Sequence, residues 1–338
     1  MASLSSSIEP TTDVVPPGYN EIEAAAARLA GKAVRTPLLE VAALNERVGA
    51  RVLIKPECLQ RTGSFKFRGA YNRISQIPEG ERGKGVVAFS SGNHAQGVAA
   101  AAALLGLPAT IVMPADAPRI KIENTQGYGA KVVTYARNSQ DRAQVAQEIV
   151  DETGATLVKP FDDTGVIAGQ GTCGREIALD AGERGLRIDD LLICCGGGGL
   201  TAGCALAFEA LSPSTRIHTV EPVGFDDTAR SLASGKRESN TPGATSLCDA
   251  LLAPQPGEIT LEINRRLVAG GLAVDDEEIK AAMAFAFRTL KLVVEPGGTA
   301  ALAALLSGKL ASAGDCIAIV ISGGNVDATT FGESVGSA

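Results

Sequence analysis

The sequence predicts an α/β protein built on open, mostly parallel sheets, and two observations carry that expectation. Short β-rich runs alternate with helix-length amphipathic segments almost from end to end, the pattern of parallel strands joined by crossover helices. Several of those runs are too apolar to lie exposed on either face, as strands covered by helices on both sides must be. A length of 338 residues adds that about two domains are expected, at roughly 150 residues each.

In chain order, Met1 to Asn20 is rich in Ser, Thr and Pro, with neither a basic start nor an apolar core, so it reads as a loose tail rather than a signal peptide. The first strand is placed at Arg51–Lys55. From Gly85 to about Pro160 the strands Gly85–Phe89, Ala109–Met113, Lys131–Tyr135 and Thr156–Lys159, with helices His94–Leu105 and Gln140–Thr153, read as a compact unit inserted between two halves of a larger sheet. The expected division is therefore a large domain from 1–84 and 164–338, with a small domain over 85–163. Strand Leu191–Cys195, helix Leu200–Leu211 and strand Arg216–Glu221 resume the larger sheet. Helix Asp276–Leu290 opens on the acidic run Asp275-Asp276-Glu277-Glu278, which suits the positive end of a helix dipole. Helix Thr299–Leu306 and strand Cys316–Ile321 complete the pattern. The most apolar stretch, Val98 to Met113, is shorter than a bilayer span and is broken by Gly106 and Pro108, so a cytoplasmic protein with no membrane partner is expected.

Charge excludes a further class. Lys and Arg total 31 against 38 Asp and Glu, a net of -7, which disfavours nucleic acid as a partner. With nine Phe, four Tyr and no Trp, stacking platforms for single strands are scarce. Seven cysteines, an odd number with no C-x-x-C pair, read as reduced, buried thiols. The 39 glycines exceed the roughly 24 that average usage would give, and so point to backbone that turns sharply or approaches something closely.

Ligands of open parallel sheets bind outside the carboxyl ends of the strands, and glycine clusters fall at such places. The sharpest is Cys195-Gly196-Gly197-Gly198-Gly199-Leu200-Thr201, between a strand and a helix. Consecutive glycines let backbone N–H groups converge, and the helix start adds positive potential, so Gly196 to Gly199 read as a phosphate cradle. No Lys-Ser/Thr follows, which excludes a Walker A loop. Thr201 stands where a dinucleotide fingerprint needs its third glycine, although Glu221 at the next strand end keeps a nicotinamide oxidoreductase open as an alternative. In Thr62-Gly63-Ser64-Phe65-Lys66-Phe67-Arg68-Gly69-Ala70, a lysine between two phenylalanines is placed for desolvation, which lowers an amine's pKa and makes it a nucleophile. The other reading is an exposed lysine with apolar neighbours. Of the two histidines, His94 reads as a structural hydrogen-bonder at a helix start before it reads as a base, and His218 as a satisfied core residue.

A phosphate cradle with a desolvated lysine suggests a Schiff base to pyridoxal phosphate, and from Thr36-Pro37-Leu38 to Asp327 the chain resembles the serine/threonine dehydratases and serine racemases of fold type II. The motifs are specific in combination: Gly63 to Ala70, Ser90-Ser91-Gly92-Asn93-His94-Ala95-Gln96-Gly97, Ala168-Gly169-Gln170-Gly171-Thr172, the four glycines, and Ser322-Gly323-Gly324-Asn325. The resemblance implies two open, twisted, mostly parallel α/β domains with the cofactor in the cleft between them, in a homodimer.

Carried over residue by residue, the resemblance implies that Lys66 holds the cofactor and is the base at Cα. Phe65 would pack on the pyridine ring, Asn93 would bond its phenolic oxygen, and Gly196 to Gly199 would take the phosphate. Ser322 would face the ring nitrogen as a neutral hydroxyl. Ser91 matches the racemases' hydroxyl on the opposite face, and with Asn93 and His94 it would lie beside the substrate carboxylate. Arg142 matches an arginine that reaches a second substrate carboxylate, against the commoner reading of a solvated helix arginine. Glu221, Asp227 and the carbonyl of Phe225 match a divalent-cation site for Mg²⁺, Ca²⁺ or Mn²⁺; the alternative is that Asp226 or Asp227 caps a helix. Glu295-Pro296-Gly297-Gly298 receives only a lining role. The implied activity is dehydration of a β-hydroxy amino acid (L-threonine, L-serine or 3-hydroxyaspartate) to a 2-oxo acid and ammonia, with amino-acid racemisation as the alternative.

Overall fold

The computed structural model describes residues 14–336 except 118, 137–138, 242 and 312–313. The strands are β1 (Leu39–Glu40), β2 (Arg51–Pro56), β3 (Val86–Phe89), β4 (Ala109–Pro114), β5 (Lys131–Tyr135), β6 (Thr156–Leu157), β7 (Asp190–Cys194), β8 (Arg216–Pro222), β9 (Gly270–Val274) and β10 (Cys316–Ile321). The α-helices are α1 (Tyr19–Leu29), α2 (Ala42–Val48), α3 (Lys66–Ser75), α4 (Asn93–Leu105), α5 (Arg119–Gly127), α6 (Arg142–Thr153), α7 (Thr164–Glu183), α8 (Gly199–Leu211), α9 (Asp227–Ser234), α10 (Glu258–Leu267), α11 (Asp276–Phe285), α12 (Ala300–Leu306) and α13 (Ala328–Gly336). They build a six-stranded sheet in the order β1-β2-β10-β7-β8-β9 and a four-stranded sheet in the order β5-β4-β3-β6. Every pairing is parallel except β1 with β2.

The apolar strands are covered on both faces, as their composition requires. Val52 and Ile54 of β2, Leu192 of β7, and Ile317, Ile319 and Ile321 of β10 enter one core cluster, while Leu53, Leu191, Ile193, Ala318 and Val320 enter another. That is the period-two alternation of a strand read against two buried faces. In the four-stranded sheet Val86, Ala88, Ile111 and Met113 face one cluster, and Val87 and Val112 the other.

The structure departs from the sequence expectations in particular places. The tail expected over 1–20 lies outside the described residues as far as 13, and α1 already begins at Tyr19. The strand expected at Thr156–Lys159 ends at Leu157, because Pro160 has no N–H to extend the ladder and its carbonyl turns toward Lys66. The helix expected over Asp276–Leu290 is α-helical to Phe285, then widens to a π-turn over Ala286–Leu290 and stops at Lys291, which is left-handed at φ 59°. Its start behaves as expected: Asp275 and Glu278 each accept the other's backbone N–H.

Strand β9 and the twenty-residue α7 go beyond the sequence expectations, since glycine thins the signal in both. In α7 the glycines serve packing. A Cβ on Gly169 would sit 2.6 Å from the Cα of Gly69 in α3, and one on Gly174 would sit 2.7 Å from the Cα of Cys204 in α8. The start of α3 is further fixed by a buried ion network. Both oxygens of Glu57 and both of Glu176 accept from the Arg68 guanidinium, and Lys55 donates to Glu176 and to the Thr36 carbonyl. A buried charge satisfied this fully is tolerated, and it ties α3 to α7 and β2 two residues after Lys66.

Candidate active site

The loops leaving the carboxyl ends of β3, β7 and β10 converge with the start of α3 on one cavity of about 440 Å³, lined by residues of both sheets' surroundings. Lys66 is the first residue of α3, and its Nζ donates to the Pro160 carbonyl at 2.6 Å. Burial pushes the amine down to about 8, against a smaller opposing pull from Glu295. Of the flanking phenylalanines, only Phe65 faces the site, with its ring centroid 5.2 Å from Nζ. Phe67 turns into the core under the four-stranded sheet, so the desolvation comes from the cavity wall and not from a phenylalanine pair.

Ser91, Asn93 and His94 line the same cavity at the start of α4, whose N-cap, Gly92, supplies no side-chain bond. Asn93 Nδ2 donates to Glu295 Oε1 at 2.6 Å, and Asn93 Oδ1 accepts from Asn325 Nδ2 at 2.7 Å. Glu295 is therefore the partner that orients Asn93, a role invisible locally because the two residues lie 202 positions apart. Burial, reinforced by Asp249, pushes the Glu295 carboxyl up to about 8. The His94 ring donates through Nε2 to the Val158 carbonyl at 2.8 Å, while burial and then Lys66 push its pKa down to about 3. His94 is thus a neutral hydrogen-bonder.

Gly196 to Gly199 join β7 to α8, whose N-terminus also lacks a side-chain cap. Gly198 adopts φ +91°. A Cβ on Gly197 would lie 2.3 Å from the Phe161 ring, and one on Gly199 would lie 3.1 Å from Phe161 Cα. Thr201 Oγ1 at the cavity wall is buried without a partner. Ser322 is buried at the end of β10, and its carbonyl accepts from Phe65 N at 3.1 Å. Arg142 opens α6 with its guanidinium 5.7 Å from the Phe89 ring centroid, and it lines the cavity without an ion pair among the described residues.

Comparison with known proteins decides the family. Residues 29–323 match the family described as pyridoxal-phosphate dependent enzyme. The chain belongs to that family. It is 45% identical over 309 residues to an L-threo-3-hydroxyaspartate ammonia-lyase of Pseudomonas sp, covering 91% of this chain and 95% of that one. Among solved structures it is similar to a T.th. threonine deaminase, with TM-score 0.88 and 42% identity over 92% of this chain and 99% of that one. It is equally similar to maize serine racemase, with TM-score 0.89 and 39% identity over 96% and 98%. The fold is that of fold type II pyridoxal-phosphate enzymes, and the nicotinamide alternative falls with this assignment.

The cavity of this pyridoxal-phosphate enzyme fits the cofactor on its own evidence. It joins an uncapped helix start, a glycine loop, an unpartnered threonine hydroxyl and a desolvated lysine. The proposed cation ligands lie elsewhere, at the end of β8. Both Glu221 oxygens accept backbone N–H groups, from Thr228 at 2.9 Å and Ala229 at 2.8 Å, so Glu221 caps α9 and Asp226 does not. Asp227 accepts from Asn240 with one oxygen, and its buried Oδ2 has no partner. Burial, then the Asp227 charge, pushes Glu221 up to about 8, and burial pushes Asp227 up to about 6. Among the described residues no group of three or more His, Cys, Asp or Glu side chains is arranged to hold a metal. The third ligand would have to be the Phe225 carbonyl. All seven cysteines are free, and among the described residues no helix is long and apolar enough to cross a membrane.

Proposed function

We propose that the chain is an ammonia-lyase that dehydrates a β-hydroxy amino acid, with 3-hydroxyaspartate favoured over L-threonine and L-serine. One observation carries the reading: two uncapped helix N-termini, of α4 and α8, face one cavity with a lysine whose amine is pushed down to about 8. A helix start attracts an anion, so the pair suits one phosphate and one α-carboxylate on either side of the amine. When bound, pyridoxal phosphate supplies an electron sink for the pair left at Cα. Lys66 holds that group and takes the Cα proton at Nζ. Gly196 to Gly199 bind the phosphate, Phe65 covers the ring face, Asn93 bonds the phenolic oxygen, and Ser322 offers the ring nitrogen a neutral hydroxyl.

Ser91, Asn93 and His94 hold the α-carboxylate at the start of α4. Arg142, which makes no ion pair among the described residues, would accept a side-chain carboxylate, which supports an acidic substrate along with the hydroxyaspartate-lyase relative. Loss of the β-hydroxyl as water and hydrolysis of the released enamine give a 2-oxo acid and ammonia. Lys66→Ala is expected to abolish 2-oxo acid formation in the reconstituted protein, and unchanged turnover would sink the assignment.

Racemisation is the second reading. Ser91 lines the cavity and its hydroxyl makes no hydrogen bond among the described residues, so it is free to carry a proton opposite Lys66. Chiral chromatography of the recovered serine separates the two: Ser91→Ala would lose racemisation and keep much of the elimination. The same reading places Mg²⁺, Ca²⁺ or Mn²⁺ on Glu221, Asp227 and the Phe225 carbonyl in a structural role, residues 85–163 as a small domain, and a cytoplasmic homodimer as the working form.

A further inference from the structure

The glycine loop between β7 and α8 has two sides. Gly196 to Gly199 face the cavity on one, and on the other they rest against the start of α10, no residue of which lines the cavity. Thr260, fully buried in the first turn of α10, donates its hydroxyl to the Gly197 carbonyl at 2.7 Å, and the Gly257 N–H reaches the same oxygen at 3.2 Å. The peptide bonds are trans among the described residues, so the Gly198 N–H points opposite to the Gly197 carbonyl, away from Thr260 and Gly257. No group among the described residues accepts from it. The Gly198 carbonyl is engaged in turn by Ala202 N in α8 at 2.8 Å. A Cβ on Gly198 would stand 2.9 Å from Thr260 Oγ1 and 3.0 Å from Asn264 Nδ2, so α10 presses directly on the loop. The start of α10 is itself located from the site. Asp162 Oδ1 accepts from Ile259 N at 2.9 Å and Thr260 N at 3.4 Å. The two residues before it touch the site as well: the Pro160 carbonyl accepts from Lys66 Nζ, and Phe161 packs against Gly197 and Gly199.

We propose that Thr260 is a positioning residue for the cofactor phosphate: by holding the Gly197 carbonyl to the rear, it keeps the Gly198 N–H aimed into the cavity as a donor. The inference rests on the reading of Gly196 to Gly199 as the phosphate cradle, and it names the residue behind the cradle that sets it. Four consecutive glycines have no side chains to fix the planes of their peptides, so the loop needs an outside group to choose one orientation. The choice matters, because turning the Gly197–Gly198 peptide over would replace an N–H at the cavity wall by a carbonyl oxygen, and a phosphate would meet partial negative charge instead of positive. A donor oriented beforehand also needs no reorganisation when the anion arrives. Thr260 touches neither the cofactor nor the substrate and acts only through the loop. Burial alone would not call for it, since Gly257 already serves the same carbonyl.

The test compares pyridoxal phosphate with pyridoxal, which has the same ring and aldehyde without the phosphate, each titrated into the cofactor-stripped full chain and read from visible absorbance. Thr260→Val removes the hydroxyl at nearly constant volume. It is expected to weaken pyridoxal phosphate about fivefold, the loss of one neutral hydrogen bond, and to leave pyridoxal unchanged. Thr260→Ser keeps the hydroxyl, loses only the methyl, and is expected to hold the wild-type ratio of the two affinities. Should valine not fit against the Gly197 carbonyl, Thr260→Ala removes the same hydroxyl without crowding it and carries the same expectation. A hydroxyl that merely satisfied a buried carbonyl would lower Tm and leave the affinity ratio where it was. That result, or a serine variant as weak toward pyridoxal phosphate as the valine one, overturns the proposal. The phosphorus NMR resonance of the bound cofactor is a second readout, expected to shift in Thr260→Val or Thr260→Ala and to stay in Thr260→Ser; an unmoved resonance in all of them also overturns it. A wild-type chain that binds pyridoxal as tightly as pyridoxal phosphate would remove the cradle reading and this proposal together, whereas a phosphate preference left intact in the valine and alanine variants removes this proposal alone.

Discussion

His94 sits beside the one amine the chemistry needs, yet its surroundings remove it from acid–base work. Nε2 donates to the Val158 carbonyl, Nδ1 is buried without a partner, and burial together with the nearby Lys66 holds the ring neutral down to about pH 3. The folded-state pKa is depressed, so this term stabilises the protein above the ordinary histidine range and is lost as pH falls from about 6.5 toward 3. A His94→Asn variant is therefore expected to lose kcat/KM for the amino acid while keeping the shape of the pH–rate profile; disappearance of an ionisation from that profile would show that His94 titrates. Residues inside a local motif were legible in the sequence: Lys66 between its glycines, Asn93 at a helix start, Ser322 at a strand end. Glu295 was legible as a lining residue, but its bond to Asn93 was not, because the two lie 202 residues apart. No spacing in a window of sequence encodes such a pair.

Helices α3, α7 and α8 show the same limit one level up. They cross so closely that glycine stands at the contacts, and the glycines that make α7 fit are those that hide it from a helix pattern. A Cβ on Gly203 would lie 2.4 Å from the Ile167 carbonyl oxygen and 2.5 Å from Gly171 N, both backbone atoms with no rotamer to yield. Gly203→Ala is expected to destabilise the protein by about 1–3 kcal/mol, as overpacking does. Gly182, in the same α7, is exposed and has nothing within 4 Å of the point where a Cβ would stand. There Gly182→Ala is expected to add about 0.5–1 kcal/mol, the ordinary helix gain over glycine. Urea unfolding of the two variants separates close approach from propensity, and losses of equal size would deny the packing account. The strand–helix alternation gave the central strands of both sheets because burial on two faces leaves an apolar run. The outer strands β1 and β9, short or glycine-led, leave none.

At the scale of the whole molecule, two carboxylates buried at the end of β8 contribute to how stability responds to pH, beside Glu295, which burial also raises, and His94, whose term has the opposite sign. Burial pushes the Glu221 carboxyl up to about 8 and the Asp227 carboxyl up to about 6. A carboxylate whose folded pKa is raised favours the fold when protonated, so its contribution is complete below the unfolded value and is lost as pH rises through the folded one. Without a cation, the contribution of this pair is expected to decline between about pH 4 and pH 8 as first Asp227 and then Glu221 ionises. A divalent cation bound to these oxygens would reverse the sign, since it would bind only the ionised pair and stabilise the fold by mass action. Mg²⁺ or Ca²⁺ is accordingly expected to raise Tm little at about pH 5.5 and markedly at about pH 8.5. The chelated protein would follow the declining curve, and the cation effect would be lost when Glu221→Gln and Asp227→Asn are combined. An equal Tm shift at both pH values, or one that survives the double variant, would place the cation elsewhere and leave Glu221 with the role it already fills, capping α9.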